Sequence, residues 1–306
     1  MQTSSRASGQ AIAWWQFIRE RFDPVSHLLM IGLFFVAHLV LARSVYLEPL
    51  NRGSLFALFV GTLAFFFKLR LYDEIKDFQV DKKFNPTRPL ARGLLNHRDL
   101  YWAIALCIVI ELVAFGLQGM AALISISFAI GYSLLMYREF FIGRYLRPLL
   151  TTYAISHTVV SVFLSVALFS ALTGDAAWAL RKQLAYFALN SWCLFNVFEF
   201  GRKTFASREE RDQVQSYSKI FGRFGAVFLV LTMATGSAWL LFAMELPGRN
   251  CLRALLGLLG GLLALSGLAY AILDRKPFGG VYRGISSLYI VLVYLGLVAV
   301  WSYPCS

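Results

Sequence analysis

The sequence predicts an all-α protein: a polytopic membrane bundle of nine transmembrane helices around a central cavity. Two observations carry that expectation. Of 306 residues, 58% are hydrophobic and only 15% charged, and the mean hydropathy of +0.62 lies outside the range of an ordinary soluble domain. The apolar residues also gather into windows of about 20 with few or no charges, each long enough to cross a hydrocarbon layer as a helix.

Residues 1–26 form a polar, basic opening segment in which Trp14, Trp15 and Phe17 are expected to lie at the membrane surface. No apolar stretch there is followed by a small-residue cleavage site, so no signal peptide is expected and the membrane domain covers 27–306. Its spans are expected at 27–46, 54–71, 100–117, 121–137, 149–172, 184–200, 220–244, 252–273 and 281–301. The charge pattern agrees with this count. With the N-terminus in the cytoplasm, all 29 Lys and Arg residues fall on inner segments except Arg43, Arg52, Arg181, Lys182, Arg249 and Arg253. That is the asymmetry of a positive-inside protein with its C-terminus outside. The net charge of +12 then reflects topology and anionic headgroups, and no nucleic acid partner is expected. A bacterial-type inner (plasma) membrane is the expected location.

Two inner loops, 72–98 and 199–219, are unusually charged. The first contains YDEIKDFQVDKKFNPTRPLARG, from Tyr72 to Gly93. Asp73, Asp77 and Asp81 recur every four residues and Glu74 stands three before Asp77, so on one helix all four share a broad face. Crowded carboxylates repel. A hard cation such as Mg2+ relieves that repulsion and is commonly shared with substrate phosphates. Lys76, Lys82, Lys83, Arg88 and Arg92 interleave with the acids, as expected where a diphosphate must be held. A solvated loop between helices is the alternative for such a charge run. The second loop follows Asn196, Glu199 and Lys203, which line one side of the sixth span's inner end, and continues through Glu209, Glu210 and Asp212. Acids at the bilayer interface on two separate loops read as two halves of one cation site, again with a solvated loop as the alternative. Glu199 ends an apolar run, where ionisable groups are functional candidates by default.

Asp73-Glu74-x-x-Asp77-x-x-x-Asp81, followed by Asn85-Pro86-x-Arg88-Pro89-Leu90 and Gly93, resembles the first aspartate-rich motif of the UbiA superfamily of intramembrane prenyltransferases. That motif reads N-D-x-x-D-x-x-x-D and is followed by R-P and a Gly, and the spacing here is similar to the chlorophyll-synthase and homogentisate branches. Asp73 stands where the family usually has Asn, and Glu74 where it has Asp. The second family motif, D-x-x-x-D or D-x-x-D preceded by Lys, has no Asp pair here. Glu199, Arg202, Lys203, Glu209, Glu210 and Asp212 occupy the region, and Ser216-Tyr217-Ser218-x-x-x-Gly222 resembles the family's closing run.

The resemblance implies a Mg2+-dependent enzyme that ionises a prenyl diphosphate and transfers the prenyl group to a lipophilic acceptor, usually an aromatic ring. It implies catalytic roles for Asp73, Asp77, Asp81 and Glu199. It implies two Mg2+ ions, with contacts from Asp73, Glu74, Asp77 and Asp81 on one loop and from Glu199 with Glu209 or Asp212 on the other. Arg88, Lys203, Arg202, Asn196 and Arg138 would hold the diphosphate, with Arg144 in reach. An allylic cation needs an apolar, aromatic cavity, and the chain has 27 Phe, 14 Tyr and 7 Trp to build one. The same features serve a membrane terpene cyclase, in which the cation closes on its own chain, or a cation-binding transporter. A transporter would be expected to place its acids near the midplane instead.

The remaining marked residues read as structural. His38 and His157 sit near the middles of spans one and five, where an imidazole orients an acceptor or bonds a neighbouring helix. Cys107, Cys193, Cys251 and Cys305 share no metal or disulfide spacing and read as small apolar residues. Gly257, Gly260 and Gly261 in span eight read as a close helix contact.

Overall fold

The computed structural model describes residues 2–46, 51, 53–211, 215–246 and 248–302, with side chains from residue 9 onward. Among these residues every regular element is helical, as a chain embedded in lipid requires, because a helix satisfies its own backbone polar groups. An opening helix α1 (Gln2–Arg21) lies against the bundle. The first four spans are α2 (Pro24–Val45), α3 (Leu55–Lys76), α5 (His97–Gly116) and α6 (Met120–Tyr137), with a short α4 (Phe78–Phe84) following α3. After a one-turn α7 (Gly143–Leu146), span five is split into α8 (Leu150–Thr158) and α9 (Val160–Thr173). The last four are α10 (Lys182–Arg202), α11 (Tyr217–Ala243), α12 (Arg249–Leu273) and α13 (Lys276–Ser302).

Local signals explain the boundaries. Asp23 accepts a bond from the Ser26 N–H at 2.9 Å and Pro24 opens α2. Ser54 caps α3 through the Ala57 N–H, Asn96 and Asp99 form a reciprocal capping box at α5, and Ser216 caps α11.

Among the described residues, eight helices are long and apolar enough to cross a membrane, against the nine spans expected. The ninth span is present as α10, 21 residues long, but it is too polar to qualify by composition. It packs against α9, α11, α13 and α2 rather than lipid, so Asn190, Ser191 and Asn196 can be buried on it. Gly201 lets α13 approach closely, since a Cβ there would fall 2.2 Å from that of Ser286. The glycines of α12 behave differently from expectation: a Cβ at Gly257, Gly260 or Gly261 meets nothing within 4 Å, so they make no close contact. Cys107 and Cys193 are buried and free, as read from the sequence, whereas Cys251 is disulfide-bonded.

The helices close into a ring. α3 packs on α5, α5 on α6 and α6 on α9, and the pairings α10–α11, α11–α12 and α12–α13 repeat that order in the second half before α13 returns to α2. This is the four-helix repeat that the two charged loops imply. The axis of the ring is filled by rings: Phe34 meets Phe66, Phe195 and Tyr294 edge-on at 5.6–6.0 Å, and Phe187 meets Tyr294 and Trp301. His38 belongs to this column. Its Nδ1–H donates to the Phe34 carbonyl at 2.6 Å and Nε2 accepts from the Ser165 hydroxyl at 2.9 Å, so it ties α2 to α9. A separate groove of about 880 Å3 opens between α1, α2, α3 and α5, lined by Trp14, Trp15, Phe22, Phe67, Trp102 and Leu106.

One charge pair lies inside the bundle. Lys68, counted from the sequence with the inner loop, is instead wholly buried on α3, where its Nζ meets Glu111 of α5 at 2.5 Å and lies over the Phe65 ring. Neither side chain is exposed, so each depends on the other for its charge to be tolerated. Glu111→Ala is therefore expected to destabilise the protein in detergent by about 3–5 kcal/mol, seen as a lowered Tm. The double variant Lys68→Met/Glu111→Leu should recover most of that loss, and a single variant that melts like the parent would show the pair to be dispensable.

Candidate active site

The first charged loop begins inside a membrane helix. α3 runs five residues past its expected end at 71 and carries Asp73 and Glu74 on its last turn. Asp77 then breaks the regular helix, with φ −82 and ψ −7, and α4 continues from Phe78. The i→i+4 bonds Asp77 N–H to Asp73 O and Asp81 N–H to Asp77 O carry across this break, but the structure gives the four acids different surroundings.

Glu74 is expected as a metal ligand, but its side chain is 1% exposed and both oxygens are occupied. Arg21 of α1 donates Nε–H to Oε2 at 2.6 Å, and the Leu90 N–H reaches Oε1 at 3.3 Å. A buried carboxylate needs such donors, so Glu74 fastens α1 and the turn at 88–93 to α3. Glu20 adds a fork to Arg92 with two contacts of 2.8 Å, and this pairing holds the Glu20 carboxyl below its ordinary range. Gly93, at φ +78, closes the turn in a conformation that favours glycine. Asp81 is likewise engaged: it accepts from Arg88 at 2.8 Å and from Asn85 at 3.1 Å. The N-P-x-R-P segment is thereby wound back onto the helix it follows.

Asp73 and Asp77 remain open. Their side chains are 46% and 53% exposed, and their basic neighbours Arg70, Lys76 and Arg88 stay 3.8–4.0 Å away. Desolvation, followed by the nearby Asp73 and Asp81 carboxylates, pushes the Asp77 carboxyl up. Two crowded carboxylates with free lone pairs, one helical turn apart, are a donor set that fits a hard divalent cation.

The α10 side is arranged differently. Glu199 points its oxygens at cations of its own helix end: Lys203 Nζ lies 2.7 Å from Oε1, and Arg202 reaches Oε2 at 2.5 Å. Asn196, expected at the diphosphate, is buried and accepts from Thr158 at 3.1 Å while donating to the Trp192 carbonyl at 2.9 Å, joining α8 to α10. Glu209, a candidate metal ligand, forms a two-point pair with Arg283 at 2.7 and 2.9 Å, which holds its carboxyl below the ordinary range. It clamps the second loop onto α13. Glu210 accepts from Ser216 and Ser218, and Asp212 lies outside the described residues. Arg138 is exposed at the end of α6, and nothing ties it to the acids.

The broken fifth span links the two sides. Lys76 Nζ lies over the Tyr153 ring of α8 at 5.4 Å, and Tyr153 stacks on His157 at 3.8 Å. His157 donates its Nδ1–H to the Tyr153 carbonyl at 2.7 Å. Below the acids, Phe66 lies seven residues before Asp73 and Phe195 four before Glu199, and these two rings stack at 5.9 Å. Asp73 and Glu199 therefore stand about 10 Å and 6 Å above one aromatic floor, at 1.5 Å per helical residue. Among the described residues no three His, Cys, Asp or Glu side chains converge as a metal cluster. Lys76 was expected beside the acids, whereas sequence reasoning missed Tyr153 and Arg147 as their neighbours. Arg147, held by Glu139 at 2.8 Å, also feels the charge of Asp77.

No protein-family model matches the chain, and no curated protein matches it. Two solved structures do. One is the apo structure of a UbiA homolog from Aeropyrum pernix K1, with a TM-score of 0.62 and 15% identity over 89% of this chain and 97% of that one. The other is a digeranylgeranylglyceryl phosphate synthase, with the same TM-score and identity over 95% of this chain and 98% of the other. This integral membrane protein has the UbiA fold.

The Glu74 clamp is testable without any ligand. Arg21→Ala leaves a buried carboxylate without its cation and is expected to cost on the order of 3 kcal/mol, with faster tryptic cleavage at Lys82, Lys83 or Arg92 as the turn loosens. Unchanged melting and cleavage would remove the clamp from the account.

Proposed function

We propose that this protein is an intramembrane prenyltransferase: it ionises a prenyl diphosphate and transfers the prenyl group to a lipophilic, aromatic acceptor, with Mg2+ as the metal. The observation that carries this reading is the open pair Asp73 and Asp77 above the Phe66–Phe195 floor, in a membrane bundle of UbiA fold. A divalent cation held by those two carboxylates would offset negative charge as it develops on the leaving diphosphate.

The other residues have tasks that follow from their positions. Arg88, braced by Asp81, offers a guanidinium at the mouth, and Lys203 and Arg202 face the cleft from α10. The C–O electron pair leaves with the diphosphate. The allylic cation left behind lies over aromatic faces, which stabilise positive charge and exclude water. The acceptor's π electrons then form the new C–C bond, and the proton it loses passes to the released diphosphate. Lys76, Tyr153 and His157 line the side of the mouth where such an acceptor would stand.

The acidic end faces the cytoplasm in this reading, as the distribution of Lys and Arg requires. The disulfide of Cys251 supports it, because α12 begins at the opposite end and disulfides persist in oxidising compartments.

Detergent-purified protein supplied with geranyl, farnesyl or geranylgeranyl diphosphate and a membrane-lipid extract should release pyrophosphate with Mg2+ and not with EDTA. Asp77→Asn is expected to lower that rate roughly a hundredfold or more without lowering Tm. Prenylated acceptor among the products supports transfer, whereas cyclised hydrocarbon formed without acceptor replaces transfer by cyclisation. No release with any donor would overturn the proposal.

A further inference from the structure

We propose that the mouth binds one divalent cation rather than two, and that Lys203 and Arg202, set in place by Glu199, hold the diphosphate from the α10 side in place of a second ion. This inference rests on the prenyl-diphosphate reading above and concerns how that site is divided.

The argument is one of charge at each side of the cleft. On α3, Asp73 and Asp77 are half open, and their nearest basic groups stand 3.8–4.0 Å away. Their lone pairs are available and their mutual repulsion favours a cation. On α10 the one acid, Glu199, is already enclosed. Glu199 is 14% exposed, Oε1 meets Lys203 at 2.7 Å, and Oε2 meets the Nη2 and Nε of Arg202 at 2.5 and 2.6 Å. One carboxylate with two cations leaves this end of α10 with a net positive charge. A second divalent ion placed there would have to displace both cations and then sit beside them, which Coulomb repulsion opposes. A diphosphate oxygen is attracted to the same place.

Among the described residues the other acids of the second loop, Glu209 and Glu210, do not alter this balance. Glu209 is held by Arg283 and by the Ala206 N–H at 3.2 Å. Glu210 receives the Ser216 and Ser218 hydroxyls at 2.7 and 2.6 Å. Both fasten the loop, Glu210 to the start of α11 and Glu209 to α13. The loop thus keeps the acidic character that its sequence shows, while the geometry among the described residues spends that acidity on its own structure. Glu199 in this account is a positioning residue. It holds Lys203, four residues on, and Arg202, three residues on, at the lip of the Phe66–Phe195 floor.

The experiment counts ions. Full-length protein in detergent is titrated with Mn2+ in the presence of farnesyl S-thiolodiphosphate, whose bond to carbon is slow to ionise, and bound Mn2+ is read by electron paramagnetic resonance. Inorganic pyrophosphate serves as a second probe. One Mn2+ per chain is expected in the parent and in Glu199→Gln, and none at this site in Asp77→Asn. Glu199→Gln and Lys203→Ala should each weaken binding of the thiolodiphosphate roughly tenfold, the scale of one charge-assisted contact. Lys203→Arg should restore it, and none of these should lower Tm. Two bound Mn2+, or a count that falls in Glu199→Gln or Asp212→Asn, overturns the inference while leaving prenyl transfer standing. Failure to bind either probe, together with no pyrophosphate release, overturns both.

Discussion

A carboxylate cannot be buried without donors, and the acidic end of this protein is arranged around one that is. Glu74 sits on the last turn of α3 with almost no exposure. The donors it finds come from residues far away in the chain, Arg21 on α1 and the Leu90 amide on the turn after α4. Satisfying that one group fixes the interfacial helix, the end of a span and the loop that carries Arg88. It also determines which acids remain available. With Glu74 and Asp81 turned inward to hold structure, Asp73 and Asp77 are left as the open pair.

The two halves of the ring repeat each other in helix pairing but not in charge. Each has a helix ending in a charged loop, α3 in the first half and α10 in the second. On α3 the acids outnumber their close cationic partners. On α10 the ratio is reversed, because Arg202 and Lys203 close on the single Glu199. In the proposed reading the end of α3 is an acidic wall and the end of α10 a basic wall, which would suit a ligand that carries both a metal ion and anionic oxygens. In the proposed reaction, the absence of an Asp pair from the second loop would be a redistribution of charge rather than a loss of the means to neutralise a leaving group.

Much of the fold could be read from the sequence because lipid imposes a simple rule: a span must be long and apolar. Where a helix is shielded from lipid the rule loosens, which is why α10 carries buried Asn190 and Asn196 and fails the test of composition. The placement of Asp73 and Asp77 at the inner end of α3 and of Glu199 near the end of α10 was also legible, since span ends follow from hydropathy. Their partners were not. Glu74 with Arg21, Glu209 with Arg283 and Lys68 with Glu111 are separated by 53, 74 and 43 residues, and no local spacing announces such pairs. The break of span five at Val159 was hidden for a different reason, since Leu150–Thr173 is apolar throughout and hydropathy does not record a bend.

That break has a consequence for the chemistry. An unbroken span five would follow the wall of the ring. As a separate segment, α8 instead bonds α10 through Thr158–Asn196 and Ile155–Trp192, and its Tyr153 reaches across to Lys76 of α3. α8 therefore stands between the acidic and basic walls and closes one side of the mouth with Tyr153 and His157. In the proposed reaction a cation formed above Phe66 and Phe195 would meet aromatic faces below and beside it, while the open carboxylate of Asp73 stands about 10 Å above that floor. Separation of this kind decides whether an allylic cation lives long enough to be captured, because carboxylates are competing nucleophiles and stacked rings are not. In the same reading the pairing of Glu74, Asp81, Glu199 and Glu209 with Arg or Lys would keep these carboxylates from the reacting carbon.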